Sequence, residues 1–173
     1  DYINALDPGA CTYCPSDYSN TSDDWISNVD FLTISNSSGS VGYEDYTSLS
    51  TDVMPGSAYP IDVEVTVTGS WLQYTWVWVD FNQNCDFTDP GEAFYLGVTP
   101  GTAGTFVLSG TVTVPGDALA GPTRMRVAER YSVDPGPCDN ATYGEVEDYT
   151  VNVLGGSGDI TLDLTAFLEG PFN

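Results

Sequence analysis

The sequence predicts an all-β fold: an antiparallel β-sandwich of the jelly-roll or immunoglobulin-like type, with a tethered C-terminal β-strand. Apolar and polar residues alternate with a period of two through most of the chain, which is typical of half-buried strands. Turn clusters rich in glycine, proline and serine, such as NSSGS, MPGS and TPGTAG, separate these runs at strand-scale intervals. No segment keeps the period of 3.6 residues that an amphipathic helix needs.

The alternating runs are the expected strands, and the clearest of them span residues 61–67, 106–114 and 145–153. Another run, WLQYTWVWVDF at residues 71–81, is apolar on both faces, which predicts a strand in the middle of a sheet. For Trp76 and Trp78 in this run, we favour packing in the core over an exposed aromatic platform for sugars.

The chain divides into three parts. Residues 1–153 form one predicted β-sandwich domain, and residues 154–159 form a glycine-rich linker. Residues 160–173 contain a further strand, which either folds back onto its own sandwich or is donated to a neighbouring subunit. Its strictly alternating apolar residues include Ile160, Leu162, Leu164 and Leu168.

The composition excludes many kinds of chemistry. Three basic residues against 25 acidic ones give a net charge of −22, and the chain contains no lysine or histidine. Such a surface repels nucleic acid and anionic lipid, and no apolar run is long enough to cross a membrane. Histidine-dependent nucleophile systems, Schiff bases and Walker-type phosphate loops are excluded. A carboxylate-pair glycosidase is the remaining enzyme class, and we expect a protein without enzymatic activity.

The cysteines and sequons indicate an extracellular protein. Cys11, Cys14, Cys85 and Cys138 are an even set with one close pair, which favours two disulfides over a zinc site. Disulfides persist in oxidising compartments. Three glycosylation sequons are compatible with secretion to the cell surface, and they begin at Asn20, Asn36 and Asn140.

An oxygen-rich loop follows the central strand, with the sequence DFNQNCDFTDPGE at residues 80–92. Its alternating oxygen side chains resemble the first half of a calcium loop, because calcium takes six to eight oxygen ligands. The predicted ligands are Asp80, Asn82, Asn84 and Asp86, with Glu92 or a carboxylate of the segment YGEVEDY, such as Glu147, completing the shell. The alternative is a polar turn whose side chains hydrogen-bond to their own backbone.

All three arginines of the chain lie in the segment TRMRVAER. Arg124, Arg126 and Arg130 are an even number of residues apart, so they share one face of a strand. We expect Arg124 and Arg126 to form structural ion pairs with carboxylates such as Glu147.

Several of these motifs, taken in order, resemble the GEVED domain family. They include WISNV, NSSGSVGYEDYTS, VWVDFNQNCDFTDPGE, TRMRV and YGEVEDYTVNV, the last of which contains the string GEVED at residues 144–148. The resemblance implies a β-sandwich module of secreted and surface proteins of prokaryotes, a family whose own activity is not established. It also implies a disulfide between Cys14 and Cys138, which leaves Cys11 for Cys85. The family loop usually has Asp-Gly where this chain has Asn84-Cys85, so calcium is expected to bind more weakly or to be replaced by the crosslink.

These observations lead to two functional hypotheses. The first is an extracellular structural protein that assembles with identical subunits into a surface fibre or filament by donating its C-terminal strand. The alternative is a calcium-dependent glycan-binding or adhesin module. Exposed aromatic residues near the acidic loop favour this alternative, and burial of Trp76 and Trp78 counts against it.

Overall fold

A computed structural model describes residues 12–155 of the chain, and within that range it contains ten strands and no helix. The strands are β1 Asp17–Asn20, β2 Asp24–Phe31, β3 Ile34–Ser37, β4 Tyr43–Val53, β5 Ala58–Val67, β6 Gln73–Val79, β7 Ala93–Val98, β8 Gly104–Thr113, β9 Gly121–Tyr131 and β10 Asn140–Val153. The predicted all-β class is confirmed.

The strands form two sheets that pack face to face as a sandwich. The six-stranded sheet has the order β1-β10-β9-β6-β7, with β4 also paired to β10, and the four-stranded sheet has the order β3-β2-β5-β8. Most pairings are antiparallel, as expected, but β10 pairs in parallel with both β1 and β4. Since β10 is 14 residues long, one of its edges accommodates both short neighbours in succession. Strand β6 lies between β9 and β7, in the middle of its sheet.

Apolar residues fill most of the space between the sheets. This main cluster is built from aliphatic and aromatic side chains of both sheets, among them Val29, Phe31, Val63, Val77, Val127 and Val151. A smaller cluster on the outer face of the six-stranded sheet contains Trp78 and Phe87, and Tyr13 packs against it. The segment before β1 therefore covers the outer face.

One end of the sandwich interior is polar. We call this group the interior polar cluster; its six members are each at most 2% exposed, and they are Asp24, Gln73, Thr75, Glu129, Glu145 and Glu147. They occupy inward positions of β2, β6, β9 and β10, where the alternation would otherwise place apolar side chains. The register brings Glu129 opposite both Thr75 and Glu145.

The described residues end shortly after β10. Leu154 donates its backbone N–H to Val53 at 2.8 Å and continues the pairing with β4 by one residue. The rest of the predicted linker and the predicted strand at residues 160–173, with Ile160, Leu162, Leu164 and Leu168, lie outside the described residues. Their role stays a prediction.

Candidate functional site

The alternation of β10 divides the acidic residues of the GEVED string between two faces of the sheet. Asp148 lies on the outer face, where Arg126 Nε donates to it at 2.7 Å and Arg126 Nη2 at 2.8 Å. Arg124 Nη1 donates to the same carboxylate at 2.7 Å. Both arginines therefore pair with Asp148 and not with the expected Glu147, because neighbouring residues of a strand face opposite ways. The third arginine, Arg130, pairs with Asp139 at 2.6 Å.

The other two acids of the string face the interior. Glu145 and Glu147 meet Glu44 of β4 there, and one oxygen of each carboxylate lies within 4.8 Å of the others. Glu145 accepts backbone N–H groups from Ile26 at 2.6 Å and Val41 at 2.9 Å. It therefore links β10 to β2 and to the segment before β4.

Two tyrosines complete this glutamate cluster. The hydroxyl of Tyr149 donates to Glu147 Oε2 at 2.7 Å and accepts a hydrogen bond from the Asn36 amide at 2.9 Å. The hydroxyl of Tyr46 donates to Glu44. Glu147 Oε1 is buried and has no hydrogen-bond partner within residues 12–155. The cluster thus keeps one unsatisfied acceptor pointed into a group of carboxylates.

Burial disfavours ionisation of this cluster. It raises the pKa of Glu145 to about 9 and that of Glu147 to about 7, with nearby glutamates adding to both shifts. The three arginines are engaged with Asp148 and Asp139, and the chain contains no lysine or histidine. A cation from solution would therefore favour the ionised forms of Glu145 and Glu147, and protons neutralise them otherwise.

The glycine of the string has a steric role. Gly144 has φ of 139°, and a Cβ built on it would lie 2.4 Å from the backbone oxygen of Glu129 and 2.9 Å from the Tyr18 ring. Since other residues avoid this backbone region and this contact, position 144 requires glycine. Gly144 lies within β10, directly before Glu145, and pairs with Arg130 of β9.

The oxygen-rich loop folds as a chain of side-chain-to-backbone hydrogen bonds. Asn82 Oδ1 accepts from the Asn84 backbone N–H at 3.1 Å, Asn84 Oδ1 accepts from Asp86 N–H at 2.8 Å, and Asp86 Oδ1 accepts from Thr88 N–H at 2.8 Å. The amide nitrogens of Asn82 and Asn84 both donate to Asp89 Oδ2, at 2.8 and 2.7 Å. This is the polar turn that the sequence left open as the alternative to a calcium loop.

Two buried acids, Asp80 and Glu92, lie at the ends of this segment and accept hydrogen bonds from its backbone. Asp80 accepts backbone N–H groups from Asn84 at 3.2 Å and Cys85 at 2.9 Å. Glu92 Oε1 accepts from the N–H groups of Phe81 at 2.8 Å and Asn82 at 3.2 Å. Burial raises the pKa of Glu92 to about 7. Most of the predicted ligand oxygens are therefore already occupied by the loop itself.

Glu147 does not join this loop. Asp80 Oδ2 accepts from the Tyr13 hydroxyl at 2.8 Å, and Tyr13 lies under Arg124 on the outer face of the sheet. Glu147 is on the inner face, with Glu44 and Glu145. The expected completion of the loop site by Glu147 is therefore wrong, since the sheet separates them.

The cysteines tie two loops to the sandwich. Cys14 and Cys138 form the predicted disulfide, which joins the segment before β1 to the turn before β10. Cys85 is also disulfide-bonded. Its predicted partner, Cys11, lies outside the described residues, so the pairing of Cys11 with Cys85 stays a prediction.

The three sequon asparagines differ in accessibility. Asn140 is exposed, and Asn20 is half-buried with its side-chain oxygen accepting from Ser22. The amide nitrogen of Asn36, to which a glycan would be attached, donates to the hydroxyl of the buried Tyr149 at 2.9 Å. Glycosylation stays a prediction for all three.

The aromatic residues are only partly buried. Trp78 is 4% exposed, whereas Trp76 is half-buried and donates its indole N–H to Asp134 at 2.8 Å. Trp71, Tyr131 and Tyr143 are 37–43% exposed and form edge-to-face contacts. They lie at the start of β6, whereas the acidic loop follows its end. These three aromatics are therefore not beside the acidic loop, whereas Tyr95, which is 48% exposed, packs on Trp76.

Sequence reasoning missed several polar residues of the interior, namely Asp24, Glu44, Gln73, Thr75 and Glu129. Their signal was present in the alternation. Glu129 lies two residues after the buried Val127, and Thr75 lies two residues before the buried Val77, so each polar residue shares the inward face of its strand with a valine. A polar residue at an inward position of a central strand is a candidate site residue.

The family model of the GEVED domain matches residues 74–152. This segment is a GEVED domain. It extends from β6 to the end of β10 and contains the oxygen-rich loop, the arginine strand and the GEVED string. The resemblance found in the sequence is confirmed, and the glutamate cluster lies against the strand that characterises the GEVED domain.

Other comparisons are distant. No curated protein matches the chain. Among solved structures, it is similar to the CARDB domain of the PF1109 protein from Pyrococcus furiosus, whose crystal structure is a complex with di-metal ions. The two chains are 13% identical, the TM-score is 0.38, and the match covers 87% of this chain and 100% of the CARDB chain. It is also similar to Spo0M, a sporulation control protein from Bacillus subtilis, with 12% identity, 78% and 50% covered, and a TM-score of 0.40. Within residues 12–155, no helix has the length and apolar character needed to span a membrane.

Proposed function

We propose that this protein is a non-catalytic structural module of the extracellular space, acting as a subunit of a fibre or filament at the cell surface. The observation that carries the proposal is the use of the GEVED acids. Glu145 links three segments of backbone, and Asp148 binds two arginines in a buried ion pair. Groups engaged in this way stabilise a scaffold and are not presented to a substrate.

The disulfide supports the extracellular location. Cys14–Cys138 closes a loop of 124 residues, and such crosslinks persist where the medium is oxidising. In the chain-entropy account, a loop of this length contributes about 4–5 kcal/mol. A net charge of −22 without lysine suits a protein that must remain soluble outside the cell.

Assembly is proposed to use the C-terminal strand. A donated strand needs a sheet edge of similar length, and within residues 12–155 β8 is such an edge: it has ten residues and pairs with β5 on one side. Val107 of β8 is 58% exposed. The alternating residues 160–168 match this edge in length, so one subunit can extend the four-stranded sheet of the next.

Light scattering and negative-stain microscopy of the full chain test the assembly. We expect filaments from the native chain and monomers from the double variant Leu162→Asp, Leu164→Asp, because charges on the apolar face prevent docking. The matched control is Thr161→Asp, Thr165→Asp, which alters the opposite face and should still assemble. Monomeric native protein at high concentration, or filaments from the leucine variant, would refute strand donation.

We propose calcium as a structural cofactor, bound by Glu44, Glu145 and Glu147. The unpartnered Glu147 Oε1 and the three carboxylates, each with an oxygen within 4.8 Å of the others, support this choice. The loop at residues 80–92 also has a buried oxygen without a partner, Glu92 Oε2, so the experiment below compares the two sites. Carboxylate oxygens are the ligands that calcium prefers. The cation would neutralise charge that the chain does not neutralise itself.

Thermal unfolding near pH 8, in EDTA and in ~1 mM calcium, tests this site, since extracellular modules bind calcium in that range. Calcium should raise Tm in the native chain and raise it less in Glu147→Gln. Asp86→Asn, in the loop, should keep the full shift. The reverse pattern would place the calcium in the loop.

A further inference from the structure

Five buried oxygen atoms at one end of the sandwich interior have no hydrogen-bond partner among the described residues. They are Asp24 Oδ1, Gln73 Oε1, Thr75 Oγ1, Glu129 Oε1 and Glu129 Oε2. The four side chains are each at most 2% exposed. Buried polar atoms are nearly always paired, so several orphans in one place require a physical explanation.

The sheet register brings these side chains together. Thr75 of β6 lies directly opposite Glu129 of β9, at a spacing of about 4.5–5.5 Å between Cβ atoms for such pairs. Gln73 lies two residues before Thr75 and therefore on the same face. Its Nε2 donates to Asp24 Oδ2 at 2.6 Å, which joins β6 to β2 across the sandwich. Gln73 Oε1 and Asp24 Oδ1 are left as unpaired acceptors.

Two of the four side chains are carboxylates without a positive neighbour. Burial, then the charge of Asp23, raises the pKa of Asp24 to about 6, although the Gln73 hydrogen bond opposes the shift. Burial, then the charges of Asp24 and Glu145, raises the pKa of Glu129 well above its ordinary value. All the arginines are paired with Asp148 or Asp139. These oxygens therefore lie in a part of the interior where a positive charge would be favourable.

We propose that Asp24, Gln73, Thr75 and Glu129 bind a divalent cation of calcium size inside the sandwich. The two carboxylates balance the charge of such an ion, and the amide and hydroxyl oxygens add neutral ligands. Five oxygens, with one or more waters, reach the six to eight that calcium takes. The absence of nitrogen and sulfur ligands from this set disfavours zinc and copper.

A surface pocket provides the route to this site. A pocket of about 300 Å³ is lined by Asp23, Asp24, Trp71, Tyr131 and Tyr143, so it reaches the buried site at Asp24. Asp23 at its edge is half-buried and attracts cations, and the pocket has room for the water ligands. The exposed aromatic residues thus frame an entrance rather than a sugar platform.

This site adjoins the glutamate cluster of Glu44, Glu145 and Glu147, since Glu129 lies opposite Glu145, but it uses different side chains and does not depend on fibre assembly. Terbium is a suitable probe, because it replaces calcium at oxygen sites and its emission is sensitised by nearby tryptophan and tyrosine. Terbium luminescence excited through the aromatic residues should rise on titration of the native chain. Calcium should reverse the rise by competition.

Variants locate the bound ion. Glu129→Gln and Asp24→Asn should each weaken terbium binding about tenfold or more, since each removes half of the ligand charge. The matched control Asp86→Asn, an acid of the exposed loop, should bind as the native chain does. Unchanged binding in Glu129→Gln overturns the proposal, as does loss of the signal in Glu147→Gln alone, which places the ion in the glutamate cluster.

A measurement without variants covers the case in which these substitutions prevent folding. Anomalous diffraction from terbium-soaked crystals should show a peak about 2.3–2.6 Å from oxygens of Asp24 and Glu129. A peak only at the loop or at Glu44 refutes the site. Absence of terbium binding to the native chain at ~1 mM also refutes it, and means that protons alone neutralise these acids.

Discussion

The oxygen-rich loop and the sandwich interior are both acidic, yet the exposed acid Asp86 of the loop and the buried acids of the interior are in opposite chemical states. In the loop, Asn82, Asn84 and Asp86 accept hydrogen bonds from backbone N–H groups two residues ahead. These bonds lower the pKa of Asp86. In the interior, burial raises the pKa of Glu147 to about 7 and leaves one of its oxygens unpartnered.

The difference shows that acidic composition does not identify a cation site. A loop supplies its own donors, because its backbone N–H groups are close in sequence and need partners of their own. Strand backbone is already paired in the ladder, so inward carboxylates must find donors from other strands or go without. Among the described residues, most acids with an unsatisfied oxygen therefore lie in the interior, and Glu92 at the buried end of the loop is the exception.

The largest effect is expected where a buried charge loses its partner. Arg126→Met should lower the free energy of unfolding by about 3–5 kcal/mol, because Asp148 is fully buried and keeps only Arg124 as a counterion. The control is Arg130→Met, whose partner Asp139 is partly exposed, with an expected loss of about 1 kcal/mol or less. Urea unfolding of both variants measures the difference, and equal losses would contradict the distinction.

Gly144→Ala should lower the free energy of unfolding by about 2–3 kcal/mol, since a side chain is both strained at this φ and in contact with Glu129. Gly116→Ala is the control, because a Cβ there meets nothing within 4 Å. Chemical denaturation compares them. An equal, small loss in both variants would mean that the close contact of Gly144 with Glu129 and Tyr18 is relieved without cost.

The pH dependence of the two regions should have opposite signs. Glu147 has a raised pKa, so its protonated form stabilises the fold below pH ~4.5, and this contribution is lost as the pH rises through about 7. In EDTA, the free energy of unfolding of the native chain should fall, relative to that of Glu147→Gln, by on the order of 2 kcal/mol between pH 5 and pH 8. Asp86 has a lowered pKa, so its contribution is lost as the pH falls. Parallel pH profiles for native chain and Glu147→Gln would show that Glu147 does not titrate in this range.

The smallest effect is expected in the loop. Asn84→Ala removes the acceptor for Asp86 N–H and one donor to Asp89, and should cost about 1 kcal/mol. Asn28→Ala, which removes an exposed side-chain hydrogen bond to Asp30 in β2, is the control, with little expected loss. Thermal unfolding in EDTA measures both. A loss in Asn84→Ala as large as in Arg126→Met would show that the loop is integral to the core.

Much of the fold could be predicted because it depends on local pattern. The period of two predicts strands, and the run apolar on both faces predicts the mid-sheet position of β6. The resemblance to the GEVED domain predicted the Cys14–Cys138 disulfide. The parallel pairing of β10 with β4 was not predictable in this way, since its partners are about a hundred residues apart in sequence.

The candidate site was predicted only in part. Glu147 was expected to contact Arg124 and the loop. Side chains alternate along β10, however, so Glu147 faces the interior, whereas Asp148 faces Arg124. Asp24 and Glu129 were missed because a single acid in an alternating strand carries no sign of the acids that it will meet on other strands. Only the register between β9 and β10 brings Glu129 opposite Glu145.

By itself, the sequence determined the strand character of the chain, its acidity and the residues available for chemistry, because these depend on neighbours one or two positions apart. The tertiary structure alone decided which acids are satisfied. The loop acids meet donors within their own segment, whereas Asp24, Glu129 and Glu147 are buried by strands that are distant in sequence. Desolvation, which governs their ionisation and their affinity for cations, is a property of the packed sandwich and of no single segment.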